Sequence, residues 1–167
     1  GMFLGGEILA AALLESRDGL ASLLDHLLEH RDHLRVVEHD ALVDFADAPP
    51  QAGAIVLRGL PVGCLPQTPT SPTAATDKDR VSEFTLLTVA RRLGHPVGYE
   101  PEHGGDLVQN LVPVLANADR QVSTSSKVTL MFHTEAAFHP HRPRYLMLLC
   151  LRGDEHAVTT LSSIFEV

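Results

Sequence analysis

The stretch MFHTEAAFHP, residues 131–140, constrains this chain more than any other part of its sequence. His133 and Glu135 are two residues apart and follow an apolar run, which predicts a β-strand over residues 127–132 that leads to His133. Because side chains alternate along an extended strand, the imidazole and the carboxylate are expected on the same face. Such a pair supplies two of the three ligands of the 2-His-1-carboxylate triad, which binds Fe(II) and leaves other positions open.

The surroundings of the pair favour a bound cation over a chance His-x-Glu pattern. Small and apolar residues follow Glu135, namely Ala136, Ala137 and Phe138. A carboxylate in apolar surroundings is costly unless a positive charge compensates it, and a metal ion would do so. The sequence therefore indicates a metal site at this stretch.

Other histidines leave a zinc site open as an alternative. His139 and His141 lie an even number of residues after His133, so an extended strand would place all three on one face. However, prolines interrupt the strand between these candidates, and structural zinc prefers four ligands, often thiolates. A second set lies at helical spacing beside acidic residues, and a solvated helix face explains it better than a metal. This second set comprises His26, His30 and His33.

Length and composition bound the class of protein. The 167 residues suit a single domain over 1–167, and 44% apolar with 20% charged residues is typical of a soluble globular protein. A net charge of −8 argues against nucleic-acid and anionic-membrane partners, and no apolar run reaches the length of a membrane span. The two cysteines, Cys64 and Cys150, form no CxxC motif, which favours a reducing, cytoplasmic location.

Helical patterns come first along the chain. Residues 7–16 and 18–34 predict helices, and residues 36–46 continue as helix or irregular structure. Another helix is predicted to begin at Ser82, with Ser82 and Glu83 as caps, and to end at Gly94.

Apolar, β-branched runs predict the strands. They are separated by polar turns and by a proline-rich loop over residues 61–80. The predicted strands cover residues 53–60, 107–114, 127–132, 144–152 and the start of a strand at 158–161. Helices followed by short strands predict an α+β protein with a sandwich or barrel-like sheet.

Several motifs of the chain resemble the clavaminate synthase family, a branch of the taurine-dioxygenase-like Fe(II)/2-oxoglutarate oxygenases. They are SSK, FHTEAAFHPHR, LLCLR and TT, between Ser125 and Thr160. Glutamate in place of aspartate in the HxE motif is similar to the branch that holds clavaminate synthase and arginine and asparagine β-hydroxylases. GAIVLRGLPV, RRLGHPVGY and LVQNLVPV upstream also resemble it, so the resemblance runs from Gly53 to Ser163.

The resemblance implies a fold and a set of site residues. The expected fold is α+β, with N-terminal helices and a partial double-stranded β-helix (jelly roll) truncated before its second half. His133 and Glu135 match the first two Fe(II) ligands, and Thr160 matches a hydroxyl that helps to hold the 2-oxoglutarate carboxylate. Ser123, ten residues before His133, matches a serine that contacts an amino-acid substrate. Glu102 matches a polar position for the substrate amino group.

The substrate-side assignments leave alternatives open. Glu100 is the other candidate for the amino-group position. Thr160 also fits an ordinary strand residue, Ser123 a plain turn serine and Glu102 a solvated loop carboxylate.

The resemblance also implies residues that this sequence does not match. In the family a second histidine ligand and an arginine for 2-oxoglutarate lie far downstream, and His156 is too close to His133 to replace that histidine. Two hypotheses follow. One is an incomplete chain of an oxygenase that hydroxylates an amino acid or a derivative at its β-carbon. The other is a catalytically inactive, truncated homologue that acts as an interaction module, with a second copy covering its exposed sheet edges.

Overall fold

The structure is a computed structural model, and it describes residues 2–4, 37–74 and 77–163. The two helices predicted before residue 36, and the three histidines within them, lie outside the described residues. The regular elements in chain order are β1 (Met2–Leu4), α1 (Val37–Asp47), α2 (Val81–Leu93) and β2 (Thr160–Ser162). Two single-turn 3-10 helices, His103–Gly105 and Leu115–Asn117, lie between α2 and β2.

Helix α2 carries the centre of the described core. Leu86 and Ala90 on its inner face are buried, and partly buried side chains of residues 108, 147 and 149 pack against them. Helix α1 packs against α2 and contributes Leu42 and Phe45 to the buried interior. In the described part of the chain, no helix is long and apolar enough to cross a membrane.

The ends of α2 confirm its predicted position but correct its predicted cap. Gly94 follows the last turn and its N–H donates to the Ala90 carbonyl at 3.0 Å, as expected for a terminal glycine. The residue at the N-cap position is Arg80 rather than Ser82. Ser82 already lies inside the helix, where its hydroxyl donates to Glu83 at 2.8 Å. The Val81 N–H is bound instead by Asp79 Oδ1 at 3.2 Å.

The strands β1 and β2 pair in parallel, with Met2 opposite Thr160, Phe3 opposite Leu161 and Leu4 opposite Ser162. This pairing joins the two ends of the described chain. It confirms a strand in the region of residues 158–161, although the strand begins at Thr160.

Four other strand predictions are wrong within the described residues. The runs at 53–60, 107–114, 127–132 and 144–152 lie outside regular helices and strands. An apolar run favours an extended backbone, but a strand also needs a neighbouring backbone to share its hydrogen bonds. In these runs the backbone bonds are isolated, such as that from Val114 N–H to the Thr124 carbonyl at 2.9 Å, and they do not build a ladder. The β-part of the expected fold is therefore not confirmed by the described elements.

The proline-rich segment is a loop, as predicted, and Arg152 holds it against the later part of the chain. The Arg152 guanidinium donates to the carbonyls of Leu65 and Pro66 at 2.8 and 2.6 Å and to Thr68 Oγ1 at 2.8 Å. The planar fork of arginine suits several acceptors at once. One side chain thus fixes three residues of a segment that has no regular structure of its own.

Candidate metal site

The side chains of His133 and Glu135 lie next to each other. His133 Nε2 is 3.8 Å from Glu135 Oε2, and the two side chains are 36% and 38% exposed. Partial exposure leaves the space between the two donor atoms accessible from solvent. An imidazole nitrogen and a carboxylate oxygen that face each other in this way are a ligand pair suited to a divalent transition metal.

The orientation of the His133 ring follows from a contact with the backbone. His133 Nδ1 lies 2.8 Å from the carbonyl oxygen of Met131, which can only accept a hydrogen bond. Nδ1 therefore carries a proton, and in a neutral ring the lone pair lies on Nε2, the nitrogen nearer to Glu135. A hydrogen bond from the second ring nitrogen to a backbone carbonyl is the usual way to orient a metal-binding histidine.

The backbone turns sharply after Glu135. Ala136 has a φ of 47°, in the left-handed region that non-glycine residues seldom adopt. The turn is closed by the His139 N–H, which donates to the Ala136 carbonyl at 2.9 Å. The chain therefore leaves the site directly after its second candidate ligand.

Gln121 contacts the segment that leads to His133. Its side-chain Nε2 donates to the Thr129 carbonyl at 2.9 Å, and its Oε1 accepts from the Met131 N–H at 3.1 Å. The sequence predicted only a polar turn around Gln121. A glutamine in such a turn carries no periodic signal, so these contacts were not accessible from the sequence.

A cavity of about 680 Å³ lies beside the site, and Glu135 forms part of its wall. The rest of the wall is mostly apolar and comes from both helices and from residues 53–60 and 145–150, with Leu86, Val89 and Met147 among its members. This volume lies in the range of small-molecule pockets, which are apolar with few polar groups.

The other predicted site residues differ in whether they line this cavity. Thr160 is exposed in β2, and its neighbour Thr159 lines the cavity together with Glu135. Ser123 lies exposed in a turn and Glu102 in the turn before the first 3-10 helix, and neither lines the cavity. The structure thus joins His133 to Glu135 and brings the Thr160 region to the same cavity as Glu135.

The loop that carries Glu102 is tied to the segment that follows the ligand pair. Tyr99 Oη donates to the His141 carbonyl at 2.6 Å, and the Tyr99 ring lies 4.5 Å from the His139 ring. Gly98 allows the loop to close, because a Cβ there would collide with the Gly105 carbonyl. His139 Nδ1 accepts the His141 N–H at 3.1 Å, so one nitrogen of the zinc alternative is already engaged.

The two candidate ligands fit one metal ion in part. Two neighbouring ligands of a facial triad, each bound to the ion at about 2.1 Å, hold their donor atoms about 3.0 Å apart. The observed 3.8 Å is longer, so the two side chains must move closer together to share one ion. Among the described side chains, no group of three or more His, Cys, Asp and Glu comes together as a metal site. These residues thus supply a pair of ligands rather than a closed site.

Comparisons with known proteins identify the class to which this fold and ligand pair belong. The sequence profile described as "Taurine catabolism dioxygenase TauD, TfdA family" matches residues 38–167. This match covers most of the chain and includes the ligand pair. The chain belongs to the TauD/TfdA family.

Individual relatives agree with that assignment. The chain is 46% identical over 104 residues to L-asparagine oxygenase of Streptomyces coelicolor, covering 61% of this chain and 31% of that protein. It is 38% identical over 123 residues to L-lysine 3-hydroxylase of Catenulispora acidiphila, covering 73% and 34%. It is 39% identical over 125 residues to clavaminate synthase 2 of Streptomyces clavuligerus, covering 72% and 38%. The chain spans about a third of the length of these relatives. No solved structure matches it at a significant level.

Proposed function

We propose that this chain is part of an Fe(II)/2-oxoglutarate-dependent oxygenase that hydroxylates an amino acid or an amino-acid derivative. The observation that carries the proposal is the 3.8 Å approach of His133 to Glu135 within the region matched by the TauD/TfdA family. The names of two relatives state an oxygenase for L-asparagine and a 3-hydroxylase for L-lysine. Position 3 of an amino acid is its β-carbon, which supports hydroxylation there.

The same proposal assigns the chain to one domain. Residues 1–167 form the N-terminal portion of the oxygenase domain, and its extended apolar runs contribute to a partial double-stranded β-helix (jelly roll). Family membership supports this assignment. The cavity beside Glu135 supports it as well, because helices and extended segments already surround a space of ligand size.

Each site residue has a distinct task in this proposal. His133 Nε2 and the Glu135 carboxylate hold Fe(II), and the Thr160 hydroxyl binds a carboxylate of 2-oxoglutarate. Ser123 and Glu102 bind the amino-acid substrate, with Glu102 paired to its amino group. When bound, iron and 2-oxoglutarate supply the oxidising power to hydroxylate an unactivated carbon, and the protein supplies orientation.

The chain's own groups prepare the ligand pair for this task. The Met131 carbonyl keeps the His133 proton on Nδ1, so that Nε2 is available without a proton transfer. The Glu135 side chain is 38% exposed, so its carboxylate is in contact with both the apolar cavity wall and the solvent.

Succinate release tests this proposal. The full-length protein that contains these 167 residues is incubated with Fe(II), 2-oxoglutarate and L-asparagine, L-lysine or L-arginine in turn, and succinate is quantified. We expect release that depends on iron and is stimulated by at least one amino acid, and we expect His133→Ala and Glu135→Ala to abolish it. His156→Ala is the matched control, because this exposed histidine lies outside the site. Release that no amino acid stimulates would show that the substrate class is wrong.

A second candidate function is a non-catalytic interaction module. It is favoured by the absence of a third clustered ligand among the described side chains and by exposed apolar residues at the cavity rim, such as Val56 and Leu148. This candidate predicts no iron-dependent turnover and a self-associating chain. Light scattering coupled to size-exclusion chromatography distinguishes the two candidate functions. A monomer with iron-dependent turnover would contradict the non-catalytic interaction module.

A further inference from the structure

We infer that Gln121 is a positioning residue that sets the tautomer of His133 through the backbone of Met131. This inference rests on the proposed function, because it assigns Gln121 a role in preparing a metal ligand. The three contacts that carry it form one continuous series from the Gln121 amide to the His133 ring.

The first step is the contact between Gln121 and an extended backbone. In an extended segment, the carbonyl of one residue and the N–H two residues later face the same edge, because the backbone repeats every two residues. The Gln121 amide donates to the Thr129 carbonyl at 2.9 Å and accepts from the Met131 N–H at 3.1 Å. A primary amide has one acceptor and two donors, so it can replace a peptide group of a neighbouring strand.

The segment at residues 129–131 depends on such a substitute for a neighbouring strand. Residues 129–131 belong to neither of the two described strands, so no ladder fixes their backbone there. The turn that carries Gln121 is itself held in place, since the Ala118 carbonyl accepts from Ser125 Oγ at 2.8 Å and from the Lys127 N–H at 3.1 Å. Gln121 therefore reaches from an anchored turn to a segment without a strand partner.

The third step leads from the backbone to the ligand. Gln121 holds the N–H of Met131, and the carbonyl of Met131 accepts the proton of His133 Nδ1 at 2.8 Å. If Met131 moves, that carbonyl leaves the ring, and the neutral imidazole reverts to the Nε2–H tautomer that is favoured in water. The nitrogen that faces Glu135 would then carry a proton, which must move to Nδ1 before a metal can bind there, so metal binding is weakened.

The test compares the His133 tautomer in matched variants of the whole 167-residue chain. Long-range ¹H–¹⁵N NMR, recorded without metal at a pH where the ring is neutral, reports the ratio of Nδ1–H to Nε2–H. Gln121→Met preserves length but removes both hydrogen bonds, and we expect it to lower this ratio about fivefold, the effect of one net hydrogen bond. Gln121→Glu keeps the acceptor for the Met131 N–H and loses the donor to Thr129. Its tautomer ratio should therefore lie between those of the unsubstituted chain and Gln121→Met. Gln67→Met is the control, as Gln67 is an exposed glutamine of the proline-rich loop.

Binding of Co(II) provides the second measurement. We expect Gln121→Met to weaken Co(II) binding about tenfold, as removal of an outer hydrogen bond does in other metal sites. An unchanged tautomer ratio in Gln121→Met, or an equal change in Gln67→Met, would overturn the inference. If Gln121→Met does not fold, the ratio in Gln121→Glu decides, and a ratio equal to that of the unsubstituted chain overturns it. Failure of the unsubstituted chain to bind Co(II) counts against the proposed function, whereas the metal-free tautomer ratio still decides the role of Gln121.

Discussion

Ala136 follows Glu135 directly and has a φ of 47°, the one positive φ outside glycine in the described part of the chain. A left-handed backbone costs an L-residue about 1–2 kcal/mol, because its Cβ approaches the carbonyl oxygen. Such strain often lies at functional sites, where the surrounding structure holds the backbone in place. Here it turns the chain away from the ligand pair after Glu135.

Glycine at position 136 relieves this strain. We expect Ala136→Gly to leave the free energy of unfolding unchanged or to raise it by up to about 1 kcal/mol, since relief of strain outweighs the added freedom of the unfolded chain. Ala137→Gly is the matched control, because Ala137 lacks a positive φ and the same change should lower stability by about 0.5–1 kcal/mol. Urea unfolding measures both, and equal losses in the two variants would contradict the strain at Ala136.

The residues of the candidate site differ in how far the sequence could predict them. The proximity of His133 and Glu135 was predictable, because their separation by one residue gives the two side chains the same direction in an extended backbone. The contacts of Gln121 with residues eight and ten positions later were not predictable. They join a side chain to backbone groups, and backbone groups are the same at every position.

At the scale of the elements, α2 depends on a buried charge at its first turn. The side chains of Glu83 and Lys78 are only 8% and 9% exposed, and Glu83 Oε1 lies 3.1 Å from Lys78 Nζ. Lys78 also donates to Asn110 at 3.2 Å, so the pair connects α2 to the segment that precedes it and to a later run. A buried ammonium without its anion is costly, which makes this pair a point of sensitivity.

Removal of the Glu83 charge should destabilise the protein strongly. We expect Glu83→Gln to lower the free energy of unfolding by about 3 kcal/mol, because Lys78 is left buried without an anion. Arg80→Gln should cost less than about 1 kcal/mol, since Arg80 is 70% exposed although it also contacts Glu83. Urea unfolding gives both values. Adding Lys78→Met to Glu83→Gln should restore part of the loss, and a fully additive double variant would contradict a buried ion pair.

The elements also show where sequence patterns lose their predictive value. Helix α2 was predicted within a residue at either end, because a helix forms its hydrogen bonds within its own segment and Gly94 marks its end. Most strands were not predicted correctly, because a strand forms its hydrogen bonds with a partner strand that lies elsewhere in the chain. The run at 144–152 illustrates this, since it has the composition of a buried strand and yet lies outside regular strands.

At the scale of the whole molecule, large apolar side chains remain on the surface. Val56 is 73% exposed and Leu148 is 50% exposed, and both belong to the wall of the 680 Å³ cavity that Glu135 also lines. Exposed apolar side chains on the rim of one cavity favour association. A second copy that covers the cavity rim would bury these side chains.

Charges at the cavity rim should therefore suppress association of the chain. We expect the unsubstituted protein to bind the dye ANS and to increase in mass with concentration, as measured by light scattering after size-exclusion chromatography. Val56→Lys and Leu148→Lys should lower both signals, because a buried ammonium opposes burial of the rim. Leu115→Lys is the matched control, since Leu115 is 87% exposed but does not line the cavity. Equal suppression by Leu115→Lys would show that association depends on general surface hydrophobicity, and a monomer at every concentration would exclude a copy as the cover of this cavity.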